Sequence, residues 1–133
     1  MSVWVTPPNK LITPHFHYAE AVCRHCGKVP TLEVVQNTAR WLERVRSEVF
    51  NDRICHINSW CRCPVHNAAV GGAEHSLHMR GWATDLTVRG LSPTAVWKLA
   101  RAHQGEGELI GGLGKYVSFT HIDRGPARRW TGP

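Results

Sequence analysis

Glycine and proline, twelve and eight among 133 residues, restrict this chain to short elements joined by many turns. The clearest long element that this punctuation leaves is a helix opening at Pro30-Thr31. Thr31 has the side chain of an N-cap, and Leu32, Val35, Ala39, Leu42, Val45 and Val49 recur at three- and four-residue steps. Arg40, Glu43, Arg44 and Glu48 fall on the other face. A second helix is predicted from Ser92-Pro93, with Val96, Leu99, Ala100 and His103 on one side. Residues 53–60, 83–88 and 116–123 read as strands. Between the first two lies a short helix from Pro64 that ends at Gly71-Gly72, followed by an irregular loop through His78 to Gly81. Residues 1–30, with Pro7, Pro8, Pro14 and Pro30, read as an irregular segment packed on the rest. Helices placed early and in the middle, with strands around a loop-borne polar cluster, give an α+β fold.

Composition narrows the setting. At 42% hydrophobic and 20% charged residues the chain is globular, and no repeat, low-complexity tract or Gly/Ser linker divides it, so one domain over 1–133 is expected. The first ten residues carry no apolar run of signal-peptide length, and no later stretch approaches the ~20 apolar residues of a membrane span. The expectation is a product made in the cytoplasm without a signal peptide and without membrane insertion. The net charge is +6, and twelve of the sixteen basic residues are arginine. Such a surface suits a polyanion: nucleic acid, an anionic cell wall or a lipid surface.

Nine His and five Cys are the other unusual counts. An odd number of cysteines argues against a fully paired disulfide framework, and Cys23-x-x-Cys26 with Cys61-x-Cys63 could equally hold zinc. Elsewhere, His78 stands on a loop and Asp85 in a strand. A hydrolytic zinc site needs three protein ligands and an open fourth position, and His121 supplies the third if its strand lies beside 83–88.

Three runs go further: Ser59-Trp60-Cys61-Arg62-Cys63-Pro64-Val65-His66-Asn67 through Gly71-Gly72-Ala73, Ser76-x-His78-x-x-Gly81-x-Ala83-x-Asp85, and Gly111-Gly112-Leu113-Gly114-x-Tyr116-x-x-Phe119-x-His121-x-Asp123. Together they resemble the zinc D-Ala-D-Ala carboxypeptidase family, above all its small phage- and prophage-encoded murein peptidases. His15-Phe16 through Cys26-Gly27 extends the likeness toward the N-terminus. The resemblance implies a small antiparallel sheet carrying the zinc (Zn), with flanking helices, as in hedgehog-type and D-Ala-D-Ala peptidase domains. It implies His78, Asp85 and His121 as ligands, and Arg62, sixteen residues before His78, as the arginine that contacts substrate and steadies the oxyanion. It puts Ser76 near the substrate pocket, where the residue alone reads equally as a loop-capping hydroxyl.

The general base departs from the pattern. Ser118 stands where relatives carry an acid three positions before the second histidine ligand, and Phe119 where the wider superfamily often has a histidine. Asp123 is the first candidate for that role, with orientation of a histidine as an equal reading. Glu74, His75, His103 and Glu106 stand behind it. Cys23, Cys26, Cys61 and Cys63, with His25 as a substitute, read as a second, structural zinc site or as disulfide partners, and Cys55 as a free buried thiol.

Gly111, Gly112 and Gly114 read as a tight approach to the last strand, not a phosphate loop. Trp60, Trp82, Trp97 and Trp130 read as core or rim, and Arg124, Arg128 and Arg129 as a solvated tail or a patch attracted to the wall. The implied activity is hydrolysis of a peptide bond in peptidoglycan stem peptides or cross-links by a monomeric, endolysin-like enzyme, without nucleic acid, in a phage lysis or tail-associated role. Two rivals are a zinc-retaining, non-hydrolytic wall-binding module and a basic zinc-containing nucleic-acid-binding domain.

Overall fold

In the computed structural model, which describes residues 3–133, the N-terminal segment is more regular than its prolines suggest. A hairpin of β1 (Leu11–Thr13) and β2 (Phe16–His17) turns at Pro14-His15 and leads into one helical turn, α1 (Tyr18–Ala21). His17 caps that turn by accepting from the Ala19 amide at 2.9 Å, while Glu20 accepts from the His17 amide at 2.8 Å. Phe16, Tyr18, Ala21 and Val29 are buried in the main apolar cluster. Strands of two and three residues are too short for alternation to register in the sequence, which is why an irregular segment was expected here.

The long helix forms as α2 (Leu32–Glu48), with Thr31 Oγ1 accepting from the Val34 amide at 3.1 Å. Val35, Ala39, Leu42 and Val45 are buried as the periodicity predicts, but the first apolar position, Leu32, is exposed and Thr38 takes a buried place. Then follow β3 (Cys55–Ser59), α3 (Pro64–Ala69), a 3-10 turn (Leu77–Arg80), β4 (Ala83–Val88) and α4 (Pro93–Arg101). Ser92 Oγ caps α4 by accepting from Ala95 at 3.1 Å; Val96 and Ala100 are buried, whereas Leu99 is exposed. The chain ends in β5 (Gly112–Lys115), β6 (Thr120–Asp123) and β7 (Arg128–Thr131). The architecture is α+β. Among the described residues no helix is long and apolar enough to cross a membrane.

Five strands form one sheet in the order β3-β4-β6-β5-β7, antiparallel except for the β5–β7 pair. Period-two geometry sorts its faces. Ile57, Leu86, Val88, Leu113 and Ile122 join Val35 and Leu42 of α2 and Val96 of α4 in the core. The alternate positions on the central strands, Asp85, His121 and Asp123, belong to the other face. The register sets Asp85 opposite His121, and His121 opposite Gly114.

Three strands differ from the sequence reading, the first being the predicted strand over 116–123, of which only Thr120–Asp123 forms while residues 116–119 turn into it. The glycine-rich approach to the last predicted strand is itself strand β5, because its missing side chains leave room for neighbours: a Cβ at Gly112 would overlap the Asp123 carboxylate, and one at Gly114 would come within 2.6 Å of the Trp130 ring. The basic C-terminal segment ends in an edge strand, β7, and of the arginines Arg124, Arg128 and Arg129 two are engaged. Arg128 pairs with Asp123 at 2.9 Å, and Arg124 Nε donates to Thr38 Oγ1 at 3.0 Å with its guanidinium over Trp82.

Candidate metal centre

His78 owes its position to the turn that carries it. Ser76 Oγ accepts from the His78 amide at 3.3 Å, and Gly81, at φ 73°, closes the turn in the left-handed region that glycine enters without a Cβ penalty. The Gly81 carbonyl then accepts from Thr38 Oγ1 at 2.7 Å and from Trp60 Nε1 at 3.1 Å, which fastens the turn to α2 and to the end of β3. Ser76 thus caps the turn and also lines the cleft described below. Asp85 and His121 need no loop, being paired across β4 and β6.

His78 Nε2 lies 3.2 Å and His121 Nδ1 2.9 Å from the same Asp85 oxygen, Oδ1. All three residues are buried, and their ligand atoms lie within 4.8 Å of one another. The opposite ring nitrogens are committed: His78 Nδ1 donates to the Trp60 carbonyl at 2.7 Å, and His121 Nε2 donates to Asp123 Oδ2 at 2.8 Å. Carbonyl and carboxylate oxygens only accept, so each rear nitrogen holds the proton and, in a neutral ring, each front nitrogen presents a lone pair. Two lone pairs and an anionic oxygen therefore converge on one buried point. A cation satisfies that convergence, and two imidazoles with one carboxylate are a donor set suited to zinc with a position left for water or substrate.

A proton on either front nitrogen competes with a cation for that lone pair and, when present, is donated to Asp85. Burial works against ionisation of Asp85, but hydrogen bonds from His121 and His78 outweigh it and hold the carboxyl well below the usual carboxylate range. Burial likewise disfavours the His121 imidazolium, yet Asp123 and Asp85 more than compensate and move this imidazole upward.

Asp123 does lie on the same face as His121, but behind it, with its side chain wholly buried. Its oxygens accept from the amides of Gly112 and Gly125, each at 2.9 Å, and from Arg128. Burial is again outweighed, chiefly by His121, so the carboxyl is held low. A carboxylate so occupied, on the far side of the imidazole from the convergence point, is unsuited to take a proton from water there. The expectation that Asp123 acts as general base gives way to its alternative, a carboxylate that orients His121. Asp123→Asn is expected to weaken zinc binding about 10–100-fold, read by competition against a chromophoric chelator. Unchanged affinity with lost activity would return Asp123 to proton transfer.

The convergence point opens into a cleft of about 770 Å³. Arg62 lines it with its guanidinium clamped: Nη1 donates to Asn67 Oδ1 at 3.0 Å, and Nη2 lies 3.7 Å from Asp85 Oδ2. Asn67 is in turn buried and donates to the Ala73 carbonyl at 2.9 Å. Trp130, whose ring centroid is 4.9 Å from that of His121, forms another wall, and Trp60 is core. Glu74 and His75 also line the cleft; His103 does not, and Glu106 lines a separate depression beside Trp41 and Arg44. Ser118 is exposed on the turn before β6, outside the cleft, whereas Phe119 stacks on Tyr116 at its rim. In the sequence Glu74 stands behind Asp123 because its loop cannot be placed there, and its nearness to His78 in the chain is the available signal.

The cysteines separate into two groups. Cys23, Cys26 and Cys63 bring their sulfurs together, whereas Cys61 is buried in the apolar core and burial pushes its thiol up. The four-cysteine grouping is therefore corrected to three. Cys55, on β3, is pushed up to about 11 by burial.

A buried pair of imidazoles and a carboxylate, locked from behind and open to a cleft beside a clamped arginine, is the kind of centre found in zinc hydrolases. The chain belongs to the peptidase M15 family, which it matches over residues 14–123. It is similar to a zinc D-Ala-D-Ala carboxypeptidase of Streptomyces albus G, with 32% identity over 110 residues, 80% of this chain and 43% of that protein. It is also similar to the peptidoglycan L,D-endopeptidase MepK of Escherichia coli (strain K12), with 37% identity over 62 residues, 45% of this chain and 31% of that protein. The chain thus spans less than half the length of these curated relatives.

Proposed function

We propose that this chain is a zinc metallopeptidase that hydrolyses a peptide bond in peptidoglycan stem peptides or cross-links, with His78, Asp85 and His121 as the ligands. The observation that carries the reading is the convergence of their donor atoms beside Arg62 at the floor of an open cleft. The names of the relatives, a D-Ala-D-Ala carboxypeptidase and a peptidoglycan endopeptidase, agree with it. Zinc held there supplies a Lewis acid for the peptide carbonyl and acidifies water.

The chain's own groups do the rest. Arg62, fixed by Asn67, offers N–H donors to the carbonyl oxygen as it gains negative charge, and the clamp removes the cost of orienting the guanidinium during the reaction. Glu74 is the cleft carboxylate with no ion pair among the described residues, and it takes the proton of the attacking water. The water oxygen adds to the carbonyl carbon, the C–N bond breaks, and the proton passes from Glu74 to the departing amine. An overall charge of +6 favours approach to an anionic wall.

Incubating zinc-loaded protein with purified peptidoglycan and weighing the muropeptides tests the reading. Shortened stems or split cross-links are expected, lost with chelator and restored by zinc; unchanged muropeptides with zinc bound would instead support a wall-binding module. Glu74→Gln is expected to lower kcat by about 10²–10⁴-fold with zinc content unchanged. Full activity in Glu74→Gln together with an inactive, zinc-loaded His75→Ala would move the proton transfer to His75.

A further inference from the structure

The peptidase reading leaves unused a cluster of soft ligands on the opposite side of the Arg62 segment. Cys23, Cys26 and Cys63 place their sulfur atoms within 4.8 Å of one another, although they come from two segments forty residues apart. Cys23 and Cys26 sit in a tight loop, Cys23-Arg24-His25-Cys26-Gly27, in which the Gly27 amide donates to the Cys23 carbonyl at 2.8 Å and Gly27 adopts φ 70°. That geometry turns the amides of His25 and Cys26 toward the Cys23 sulfur, which also accepts from the Cys63 amide at 3.3 Å. Cys63 Sγ accepts from the His66 amide at 3.4 Å. A sulfur fed by several backbone N–H groups, as that of Cys23 is, is arranged to carry negative charge, and three thiolates in one place repel unless a cation lies between.

We propose that Cys23, Cys26 and Cys63 bind a structural zinc ion, with His25 or His66 closing a four-coordinate site. The imidazoles of His25, inside the loop, and of His66, on α3, stack at 6.2 Å between centroids, and since neither is grouped with the three sulfurs, one of them must turn its ring to close the site. Three thiolates and one imidazole are a recurrent closed zinc set, in contrast to the open set of His78, Asp85 and His121. On binding, each thiol gives up its proton to solvent and its sulfur lone pair to the metal. Cys61 takes no part: its sulfur faces Gly81 in the core.

The placement gives this site a task. The Cys61 amide donates to the Ala21 carbonyl at 3.1 Å, Arg24 donates to the Asn58 carbonyl at 3.3 Å, and the Arg62 amide donates to the His78 carbonyl at 3.0 Å. A metal joining Cys23 and Cys26 to Cys63 would fasten the N-terminal segment to the residues on either side of Arg62. The side chain of Arg62 then works from an anchored backbone.

The test is metal counting on full-length protein kept reduced, with spectroscopy after cobalt substitution. Wild type is expected to hold two zinc ions per chain, one for each cluster, and its cobalt form to absorb strongly in the near ultraviolet through sulfur-to-metal charge transfer. Cys26→Ser, a change at an exposed loop position, is expected to lose one ion and that band while the ion at His78 stays. His78→Ala is expected to lose the other ion and keep the band. A wild-type count of one that falls to zero in His78→Ala, or a cobalt spectrum without the sulfur band, would overturn the proposal. Two cysteines titrating as a disulfide in protein purified anaerobically would also overturn it. If the band persists while the His78 cluster binds nothing, this proposal stands and the peptidase reading falls. Weaker zinc retention in either His25→Ala or His66→Ala identifies the fourth ligand, and no change in either overturns that part.

Discussion

Asp85→Asn is expected to empty the metal centre and to reduce peptidoglycan hydrolysis by about three orders of magnitude or more. The reason is that one carboxylate serves the whole site. Asp85 Oδ1 is the common neighbour of His78 Nε2 and His121 Nδ1, and Oδ2 faces Arg62 at 3.7 Å. An asparagine of nearly the same shape supplies no negative charge to offset a dication in a buried site, and its amide would present N–H groups either to the metal or to the guanidinium. The local fold should survive, because the strand pairing of β4 with β3 and β6 uses backbone groups only. Zinc content after dialysis, circular dichroism and the rate of muropeptide release check this together. Stoichiometric zinc and a normal rate in Asp85→Asn would remove this residue from the ligand set.

The second large effect falls on Arg62. Arg62→Ala is expected to lower kcat by about 10²–10³-fold while zinc content is unchanged, the scale of losing one preorganised oxyanion donor. Arg62→Lys should recover little. The guanidinium uses separate nitrogens for Asn67 and for the Asp85 side of the cleft, and an ammonium cannot span both from one point. Steady-state kinetics on a defined stem peptide separate the alternatives: a loss confined to KM would make Arg62 a substrate-binding residue only, and a fully active Arg62→Lys would mean that any cation suffices.

Most of the helical structure was legible in the sequence because its signals are local. Thr31 and Ser92 cap α2 and α4 through hydrogen bonds to residues three positions ahead, which is a distance the sequence states directly. Strand β4 was legible over all of Ala83–Val88, and α3 begins at its proline. Failures came where a neighbour distant in sequence decides the outcome. Strand β5 reads as a loop because its glycines answer to the Asp123 carboxylate and the Trp130 ring, and β7 reads as a charged tail because its pairing with β5 and its Arg128–Asp123 contact join separate segments. Leu32 and Leu99 fit the apolar periodicity yet lie at the edge of the packed face, where each stays partly open to solvent.

The candidate site divides in the same manner. The expectation of a zinc centre at His78, Asp85 and His121 rests on the resemblance carried by the runs around them, because a His and an Asp seven residues apart with a distant His is by spacing alone a weak signal. Tertiary structure decided which groups stand behind the ligands and which face the cleft. The β4–β6 register puts Asp85 against His121, depth in the sheet turns Asp123 from a candidate base into the partner of a ring nitrogen, and loop packing brings Glu74 to the cleft. Among the cysteines, spacing suggested a cluster, but only the packing of residues 61–63 against the N-terminal loop sends Cys63 outward to Cys23 and Cys26 and Cys61 into the core. The physical reason is common to all of these: a residue's chemistry is carried by its side chain, whereas its protonation, its partner and its access to water depend on what the fold places a few ångströms away.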